Sequence, residues 1–530
     1  MYALESPLLV NLTTVTTISL SLISGLILIY LVQRKIIEPH HDSREPPIIR
    51  SWVPGLGHVG SLLMRGTKHF TDLCQQHDYP VFTVPLFKSK VYVVSSPALA
   101  AQVQRNPKTM VFELVASDSA VRMSGVGTDV KHLLEKGFAS KDKAERDECL
   151  LNVMHDYLLS SLSPSEALDE LGIVQLNEMV HMVGQIDDSS PVDMFVCIRH
   201  IVSTTNMLAL YGPKHIFTNP ELVDCFWNME SNLPRLLATG MPSLIAPKAY
   251  ADRERLKKAM VEYAEKGYIW EASKFMRGRF QILIDKGFSI TGAAAEIELS
   301  FMHGIMVNVT PTAFWMLMRL YTNASFLSSV RRELEQSDIV RIDGLKRFIS
   351  ISKLKAQCPS LVSVFRECLR YYTHFLNNRI ITEDTFIDNY LFKKGYSLQI
   401  CGPAMHSDPE IWGSDVDEFD PLRFATSPFG TIKSSTPTEP AKKVHAAALR
   451  SFGGGRAHCP GRHFALTEAT GFVALVVLGW DLLPADGTEL KLLPKEETKL
   501  PTGVSRPDGD IKVLFQGRKG LEDVQWSFER

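Results

Sequence analysis

One cysteine and the stretch around it constrain the fold more than any other feature of the sequence. SFGGGRAHCPGRHFALTEATGFVALVVLGW (residues 451–480) places Cys459 between a glycine-rich turn and a long apolar run. Glycines let backbone N–H groups come close to a sulfur atom, and the N-terminus of a following helix places positive potential beside it. Both effects favour an ionised thiol. The stretch therefore predicts a cysteine ligand at the start of a buried helix.

Two other interpretations of this stretch lead to different proteins. A glycine-rich turn can hold a phosphate, but this one lacks the Lys-Ser/Thr pair of a P-loop and does not follow a strand as a dinucleotide fingerprint does. A lone cysteine is most often an inert residue of the core. The neighbours of Cys459 must decide between these interpretations.

The other cysteines and the charge balance exclude several classes of protein. No C-x-x-C pair is present, which is unlike a zinc site and typical of a reducing compartment. Hydrophobic residues make up 45%, charged residues 22%, and the formal net charge is −2, which describes an ordinary foldable chain. A nucleic-acid partner is not expected, because the chain lacks a basic field. The eight cysteines are at positions 74, 149, 197, 225, 358, 368, 401 and 459.

An uncharged apolar segment at Val10–Val32 is about long enough to cross a bilayer as one helix. Arg34 and Lys35 follow it while only Glu5 precedes it, so the positive-inside rule places the rest of the chain in the cytosol. A cleaved signal peptide is the alternative, but the run is long for one and no small-x-small cleavage site is evident. We predict a membrane anchor at residues 1–35.

A proline-rich stretch at residues 36–58 follows the anchor. Prolines disfavour helix and restrict the backbone, so we interpret this stretch as a stiff hinge. The catalytic domain is then expected at residues 59–530.

The pattern of this domain is mainly α with a small β portion. Two runs, 81–87 and 90–96, contain β-branched and aromatic residues around a turn and predict a hairpin, and a second strand region covers 377–401. Residues 426–443 are of low complexity and predict a surface loop. Hydrophobic periodicity predicts helices over residues 97–105, 143–162, 165–184, 250–285, 294–321, 325–336 and 359–371.

The stretch around Cys459 resembles the haem-binding signature of the cytochrome P-450 family. Phe452, Gly455, Cys459 and Gly461 match that signature, in which the cysteine is the axial ligand of the haem iron. The resemblance covers essentially the whole chain after the hinge. It implies the cytochrome P-450 fold behind an N-terminal transmembrane helix.

Two further family motifs occur in the expected order. Glu367 and Arg370 resemble the ends of E-x-x-R, and Arg423 lies in FDPLRF (419–424), which resembles F-x-P-x-R-F. The resemblance implies that these three residues form a charged cluster that braces the haem-binding core, a task that suits bidentate guanidinium groups. An isolated E-x-x-R pair is more often a solvated helix salt bridge, so the ordered set of motifs carries the resemblance.

Two arginines are candidates for contact with the haem propionates. Arg379 lies where the family commonly places such a contact, and a guanidinium suits a carboxylate there. A surface position on a strand is its alternative role. The position two before the cysteine, often basic in the family, is Ala457, so Arg456 is the candidate substitute.

The oxygen-activating helix of the family corresponds to residues 297–321. Asn308 stands in place of the family's usual acid and Val309 in place of its threonine, with Thr310 one position later and Pro311 behind it. One residue is a rotation of about 100° on a helix, so Thr310 faces the iron only if Pro311 distorts the turn. Asn308 and Thr310 are the predicted catalytic residues.

This variant of the distal helix is similar to the branch of sterol 7α- and 12α-hydroxylases and prostacyclin synthase, which contains oxygenases and an isomerase. A second membrane span is another interpretation of the apolar run. This interpretation is disfavoured because the run contains three residues that are costly or disruptive in lipid: His303, Asn308 and Pro311.

The resemblance implies a haem-thiolate monooxygenase that contains haem b and oxidises an apolar small molecule. Electrons would come from NADPH through cytochrome P-450 reductase, with cytochrome b5 as a further donor, at the endoplasmic reticulum membrane. The tail GRKGLEDVQWSFER is similar to fungal members that act on terpenoids, polyketides or alkaloids. Five basic residues lie close to the cysteine in sequence and could form a basic face that binds the reductase. The alternative is that they are simply solvated surface charges. They are Lys442, Lys443, Arg450, Arg456 and Arg462.

Two other functions remain open at the level of sequence. A haem-thiolate isomerase or dehydratase that acts on a peroxide or a pre-oxidised substrate would explain the replaced acid and threonine. The chain could also be a non-catalytic membrane haem protein that senses or carries a ligand. Such a protein would require the haem-binding motifs but not the acid and threonine of the distal helix.

Overall fold

The structure, a computed structural model, describes residues 15–21, 23–25, 27–28, 38–238, 240–336, 338–425, 431–432, 442–496 and 503–530. Helices predominate in these ranges and the strands form small sheets, which confirms the predicted fold class. The helices are α1 (Val15–Gly25), α2 (Gly57–Arg65), α3 (Lys68–Gln76), α4 (Pro97–Gln104), α5 (Glu113–Ser124), α6 (Thr128–Glu135), α7 (Lys143–Asp147), α8 (Leu150–Ser161), α9 (Glu166–Gly184), α10 (Met194–Tyr211), α11 (Pro220–Ser231), α12 (Leu233–Ala238), α13 (Pro242–Ile245), α14 (Pro247–Glu265), α15 (Lys274–Asp285), α16 (Ala293–Glu296), α17 (Glu298–Met306), α18 (Val309–Tyr321), α19 (Ala324–Gln336), α20 (Ile351–Gln357), α21 (Pro359–Tyr372), α22 (Gly402–His406), α23 (Pro409–Trp412) and α24 (Arg462–Gly479).

The strands are β1 (Val81–Leu86), β2 (Ser89–Val94), β3 (Met110–Val111), β4 (Val192–Asp193), β5 (Val340–Asp343), β6 (Lys346–Ser350), β7 (Leu376–Ile381), β8 (Thr385–Ile387), β9 (Tyr390–Phe392), β10 (Ser397–Cys401), β11 (Thr431–Ile432), β12 (Lys442–Lys443), β13 (Trp480–Pro484), β14 (Lys512–Gly517) and β15 (Gln525–Glu529).

The largest sheet has five strands in the order β1-β2-β10-β7-β3. The predicted hairpin is confirmed, since β1 and β2 are antiparallel with Val81 opposite Val94. Strand β10 runs parallel to β2 and antiparallel to β7. The predicted second strand region, 377–401, therefore contributes the inner strands of this sheet, and β7 carries Arg379.

The main hydrophobic core surrounds α24. Its side chains are buried on every face from Thr467 to Gly479, which is the pattern of a central core helix. Helices α9, α10, α18 and α21 contribute buried apolar residues to the same cluster. The segment Gly455–Gly479 is long and apolar enough to cross a membrane, but it is mostly buried inside the protein. Helix α18 of the distal region is likewise packed in the core. Its burial argues against a second membrane span there.

Several predicted helices are divided in the structure. The prediction of one helix over 250–285 is wrong, because Gly267 has a φ of 75° and separates α14 from α15. The prediction over 143–162 also becomes two helices, α7 and α8. Helix α9 confirms the prediction over 165–184 and begins after Ser165, whose side chain accepts a hydrogen bond from the Leu168 N–H.

The predicted hinge is partly docked on the large sheet. Thr83 in β1 donates its backbone N–H to Pro47 O at 2.7 Å and its hydroxyl to Pro46 O at 2.8 Å. Glu45 is buried and forms an ion pair with Lys90 at 2.5 Å. The folded body thus includes residues before position 59. Of the predicted anchor, α1 carries exposed apolar side chains, whereas Arg34, Lys35 and the ends of the apolar run lie outside the described residues.

Candidate active site

The loop that carries Cys459 is shaped by its glycines. Gly453 and Gly455 have φ angles of 72° and 62°, a backbone conformation that favours glycine. A Cβ added at Gly453 would lie 2.5 Å from the Ala457 carbonyl oxygen, and one at Gly455 would lie 2.9 Å from the Gln104 Cβ. The glycines are therefore required both by the turn and by its close approach to α4.

The sulfur atom of Cys459 lies at the N-terminus of α24. The backbone N–H groups of Gly461 and Arg462 lie close enough to the sulfur to favour its ionised form, and the Cys459 N–H donates to Phe452 O at 2.8 Å. Burial nevertheless raises the pKa of the Cys459 thiol, although these N–H groups and the Arg462 charge oppose the rise. The loop thus orients the sulfur, and a bound metal cation would deprotonate a coordinating thiol there.

A buried cluster of charges stands behind this loop. Arg370 binds Glu367 in a bidentate manner, with Nε to Oε2 at 2.8 Å and Nη2 to Oε1 at 2.7 Å. Arg423 donates Nε to Glu367 Oε1 at 3.2 Å and also pairs with Asp415 at 3.2 Å. All three predicted residues, Glu367, Arg370 and Arg423, are thus brought together, and Asp415 balances the second arginine. The sequence pattern gave no indication of Asp415.

Short contacts connect the charge cluster to the cysteine loop. The Ser451 hydroxyl donates to Leu369 O at 3.0 Å, and the Phe452 ring stacks on Phe365 with centroids 6.3 Å apart. Arg370 Nη1 donates to His406 O at 2.7 Å, while His406 Nε2 accepts from the Arg450 N–H at 2.8 Å. Helix α21 and the loop therefore hold each other in place.

Two buried arginines face this region without a carboxylate partner. Arg379 and Arg450 are 4% and 1% exposed, and neither forms an ion pair within the described part of the chain. Arg379 donates to Asn378 O at 2.7 Å, and Arg450 donates to Asn377 Oδ1 at 2.8 Å. Burial lowers the pKa of each guanidinium to about 10. Glu113 acts on Arg379 only from beyond ion-pair distance, and a buried cation without a close counter-ion is costly, so these two arginines indicate an anionic ligand.

The predicted distal helix is broken near its middle. Helix α17 ends at Met306 and α18 begins at Val309. Pro311 lacks the N–H that would bond to the Val307 carbonyl, which explains the position of the break. Thr310 is buried and donates its hydroxyl to Met306 O at 2.8 Å. The Asn308 side-chain oxygen accepts from the Val504 N–H at 3.0 Å, so Asn308 lies within the break and Thr310 in the first turn of α18.

Open space adjoins α17 at Gly304. This glycine is exposed although Met302, His303 and Met306 are buried, and a Cβ added to it would meet nothing within 4 Å. Burial lowers the pKa of His303 to about 4, so its imidazole is neutral near pH 7. Gly304 is thus the exposed residue of α17 and faces open space.

The cytochrome P-450 family model matches residues 46–515, which is most of the chain. The chain belongs to the cytochrome P-450 family. Membership makes it an enzyme of the monooxygenase class, with a haem cofactor, a reductase as redox partner and a small-molecule substrate.

Three curated relatives illustrate the family context. A cytochrome P-450 monooxygenase of Hypoxylon pulicicidum is 28% identical over 498 residues, covering 92% of both chains. Another, from Gibberella zeae, is 27% identical over 518 residues, covering 94% of both chains. A 25-hydroxycholesterol 7-alpha-hydroxylase of Rattus norvegicus is 22% identical over 432 residues, covering 78% of this chain and 98% of the relative. The fungal and sterol-hydroxylase resemblances of the sequence are both confirmed.

The residues present fit a haem of this family. Cys459 would be its axial ligand, and Arg379 and Arg450 would neutralise the two propionates, since each is a buried cation without a counter-ion. Asn377 Nδ2 and His155 Nε2 are buried without a hydrogen-bond partner and are further donors in this region. The sequence missed Arg450 and His155 as candidate haem contacts, because neither lies in the matched motifs.

Arg456 has partners other than those predicted. Its guanidinium forms an ion pair with Glu113 at 2.5 Å and donates to Asn152 Oδ1 at 2.8 Å. The predicted basic face is also reduced, because Arg450 is buried and Arg456 is paired. Arg462 donates to Cys459 O at 3.0 Å, and the side chains of Lys442 and Lys443 lie outside the described residues.

We expect Arg379→Gln and Arg450→Gln each to weaken haem retention. A hydrogen bond to a charged group contributes about 1.5–3 kcal/mol, which corresponds to roughly 10- to 150-fold faster haem loss. Transfer of haem to apomyoglobin measures the rate. Arg456→Gln is the matched control, and an equal effect there would contradict the assignment of the two buried arginines.

Proposed function

We propose that this cytochrome P-450 uses dioxygen and NADPH-derived electrons to hydroxylate or otherwise oxidise an apolar secondary metabolite such as a terpenoid, polyketide or alkaloid. The observation that carries the proposal is the Cys459 sulfur, which lies beside the N–H groups of Gly461 and Arg462 at the start of α24, next to a glycine loop that approaches the buried Arg450. Haem b, when bound, would supply dioxygen activation, because thiolate donation favours cleavage of the O–O bond.

The side chains of this protein would bind, orient and exclude water. Phe301 and Ile305, which are close to Gly304 on α17, are apolar and only partly buried, which favours an apolar substrate beside Gly304. Thr310 is the group we propose for proton handling, since its hydroxyl donates to Met306 O and still offers lone pairs as acceptors. The break lies within one turn of Thr310, although Val307 and Asn308 keep right-handed helical φ and ψ angles.

The substrate class is inferred from two sources. The two fungal relatives are monooxygenases, and the rat relative hydroxylates 25-hydroxycholesterol according to its name. A rigid, largely apolar polycycle suits a space bordered by Gly304, because the missing side chain admits a bulky group.

The apolar α1 helix supports a single-pass anchor in the endoplasmic reticulum membrane, with the catalytic domain in the cytosol. We propose NADPH–cytochrome P-450 reductase as the electron donor and cytochrome b5 as a second donor in the same membrane. Arg462, with Lys442 and Lys443, would contribute positive charge toward an acidic partner.

Reconstitution with reductase tests the proposal. We expect a library of terpenoids and sterols to yield products whose added oxygen derives from labelled dioxygen and whose formation requires NADPH and reductase. Mass spectrometry identifies the label. Rearrangement of an added hydroperoxide without reductase or dioxygen, together with no reductase-driven product, would support the isomerase or dehydratase instead. Haem binding without any product would support a carrier or sensor.

A further inference from the structure

The break in the distal helix is joined to a distant segment, residues 503–506, which we name the strap. The Val504 N–H donates to Asn308 Oδ1 at 3.0 Å, and the two residues are 196 positions apart in sequence. A Cβ added at Gly503 would overlap the Asn308 amide group. Residue 503 must therefore be glycine as long as Asn308 keeps this conformation.

The strap is also bonded to the end of α21. His374 N–H donates to Gly503 O at 3.1 Å, and Ser505 N–H donates to Tyr372 O at 2.8 Å. The Val504 N–H does not take part in this antiparallel pairing between the strap and the end of α21. It donates instead to Asn308 Oδ1. The Trp315 indole donates to Ser505 O at 2.7 Å, so α18 holds the strap at a second point.

The far end of the strap is bonded to α11. Arg506 donates to the Ser231 hydroxyl at 2.9 Å and forms an ion pair with Glu230, which is 4% exposed. Burial lowers the pKa of Arg506 to about 10, and the nearby Arg199 charge contributes to this. A buried charged contact of this kind resists separation. The strap therefore connects α11 to the break in the distal helix and to α18.

Asn308 and Gly304 share one face of the distal helix. They are four positions apart, which is close to one helical turn, and Gly304 borders the open space. The strap consequently reaches the distal helix one turn away from that space. Asn308 stands where it can fix the distance between the strap and the helix.

We propose that Asn308 is a positioning residue: its side-chain oxygen fixes the strap to the break in the distal helix and so sets which ligands fit beside the haem. This inference rests on the proposed function, in which the space at Gly304 holds the substrate. The role differs from the predicted catalytic one, because the amide oxygen is already an acceptor for a backbone N–H. Asn308→Asp keeps an acceptor at the same place, whereas Asn308→Leu has none.

Azole ligands of different size test the proposal on the full-length holoprotein. The Kd of imidazole depends only on access to the iron, whereas the Kd of the larger clotrimazole also depends on the space around the iron. Shifts of the Soret band on titration give both Kd values. We expect Asn308→Leu and Gly503→Ala to change the ratio of the two Kd values by about tenfold, the equivalent of one hydrogen bond. Asn308→Asp should retain the wild-type ratio.

Hydrogen exchange gives a second measurement that needs no ligand. We expect Asn308→Leu to accelerate exchange in the peptide that contains Val504, while Asn308→Asp keeps it slow. Val504→Pro removes the donor without altering Asn308, and Val504→Ala keeps the donor as a control. Val504→Pro should shift the azole ratio in the direction of Asn308→Leu.

The outcomes separate this inference from the proposed function. An unchanged azole ratio and unchanged exchange in Asn308→Leu would reject the positioning role. A ratio that changes equally in Asn308→Asp and Asn308→Leu would reject it also, because the acceptor would not matter. If the wild-type protein with carbon monoxide lacked the red-shifted Soret band of thiolate ligation, the proposed function itself would fail.

Discussion

Cys459→Ala is expected to abolish the red-shifted Soret band of the reduced carbon monoxide complex and all reductase-dependent oxidation. The alanine offers no ligand, although Gly461 and Arg462 still place their N–H groups at the same position. Thiolate donation is the property that favours O–O cleavage, so its loss removes the chemistry rather than reducing it. The difference spectrum with carbon monoxide, together with product analysis, measures both effects.

Cys459→His distinguishes loss of the thiolate ligand from loss of haem binding. Histidine binds haem iron, so we expect this variant to retain haem while its carbon monoxide band moves to the position of a nitrogen-ligated haem. Cys197→Ala is the control, because Cys197 is a free cysteine on α10, outside the loop. A red-shifted band that persisted in Cys459→Ala would assign the axial ligand to another residue.

Local patterns allowed much of the active site to be predicted. Phe452, Gly455, Cys459 and Gly461 lie within one loop, so spacing along the chain already places them together. Glu367 and Arg370 are three positions apart on α21, which puts both side chains on one face. Helix α9 was predictable because Ser165 provides an N-cap and its apolar residues recur with the helical period.

Long-range contacts and burial were not predictable from such patterns. Arg450 was assigned to a basic surface, yet it is buried, because neighbouring charges in sequence do not reveal which one the loop turns inward. Helix α10 was missed, since it is buried on nearly every face and shows no clear amphipathic period. The partner of Asn308 is 196 positions away, and no local pattern identifies Val504.

Glu367→Gln is expected to destabilise the protein more than any surface change. Glu367 is fully buried and accepts hydrogen bonds from Arg370 and Arg423, with Asp415 as the second carboxylate of the cluster. Glutamine has nearly the same shape but leaves the four-residue cluster with one positive charge in excess. Removing one partner of a buried ion pair costs about 3–5 kcal/mol, a large part of a typical total stability of about 5–15 kcal/mol.

Thermal unfolding of the holoprotein, followed by the red-shifted carbon monoxide band, measures this loss. Glu529→Gln is the matched control, because Glu529 makes the same kind of pair with Arg341 at 2.7 Å on the surface. An exposed pair contributes about 0–1 kcal/mol, so the control should unfold near the wild-type temperature. Equal midpoints for the two variants would contradict a role for the buried cluster in stability.

A second change distinguishes the charge from the packing. If the cost of Glu367→Gln comes from an uncompensated charge, then adding Arg423→Met should recover part of it, since the excess positive charge is removed. The two sites are in contact at 3.2 Å, so a coupling of about 0.5–3 kcal/mol is expected. If the cost instead came from lost shape and hydrogen bonds, the two losses would add. Recovery in the double variant would therefore show that electrostatic balance holds α21 and the segment around Arg423 together behind the cysteine loop.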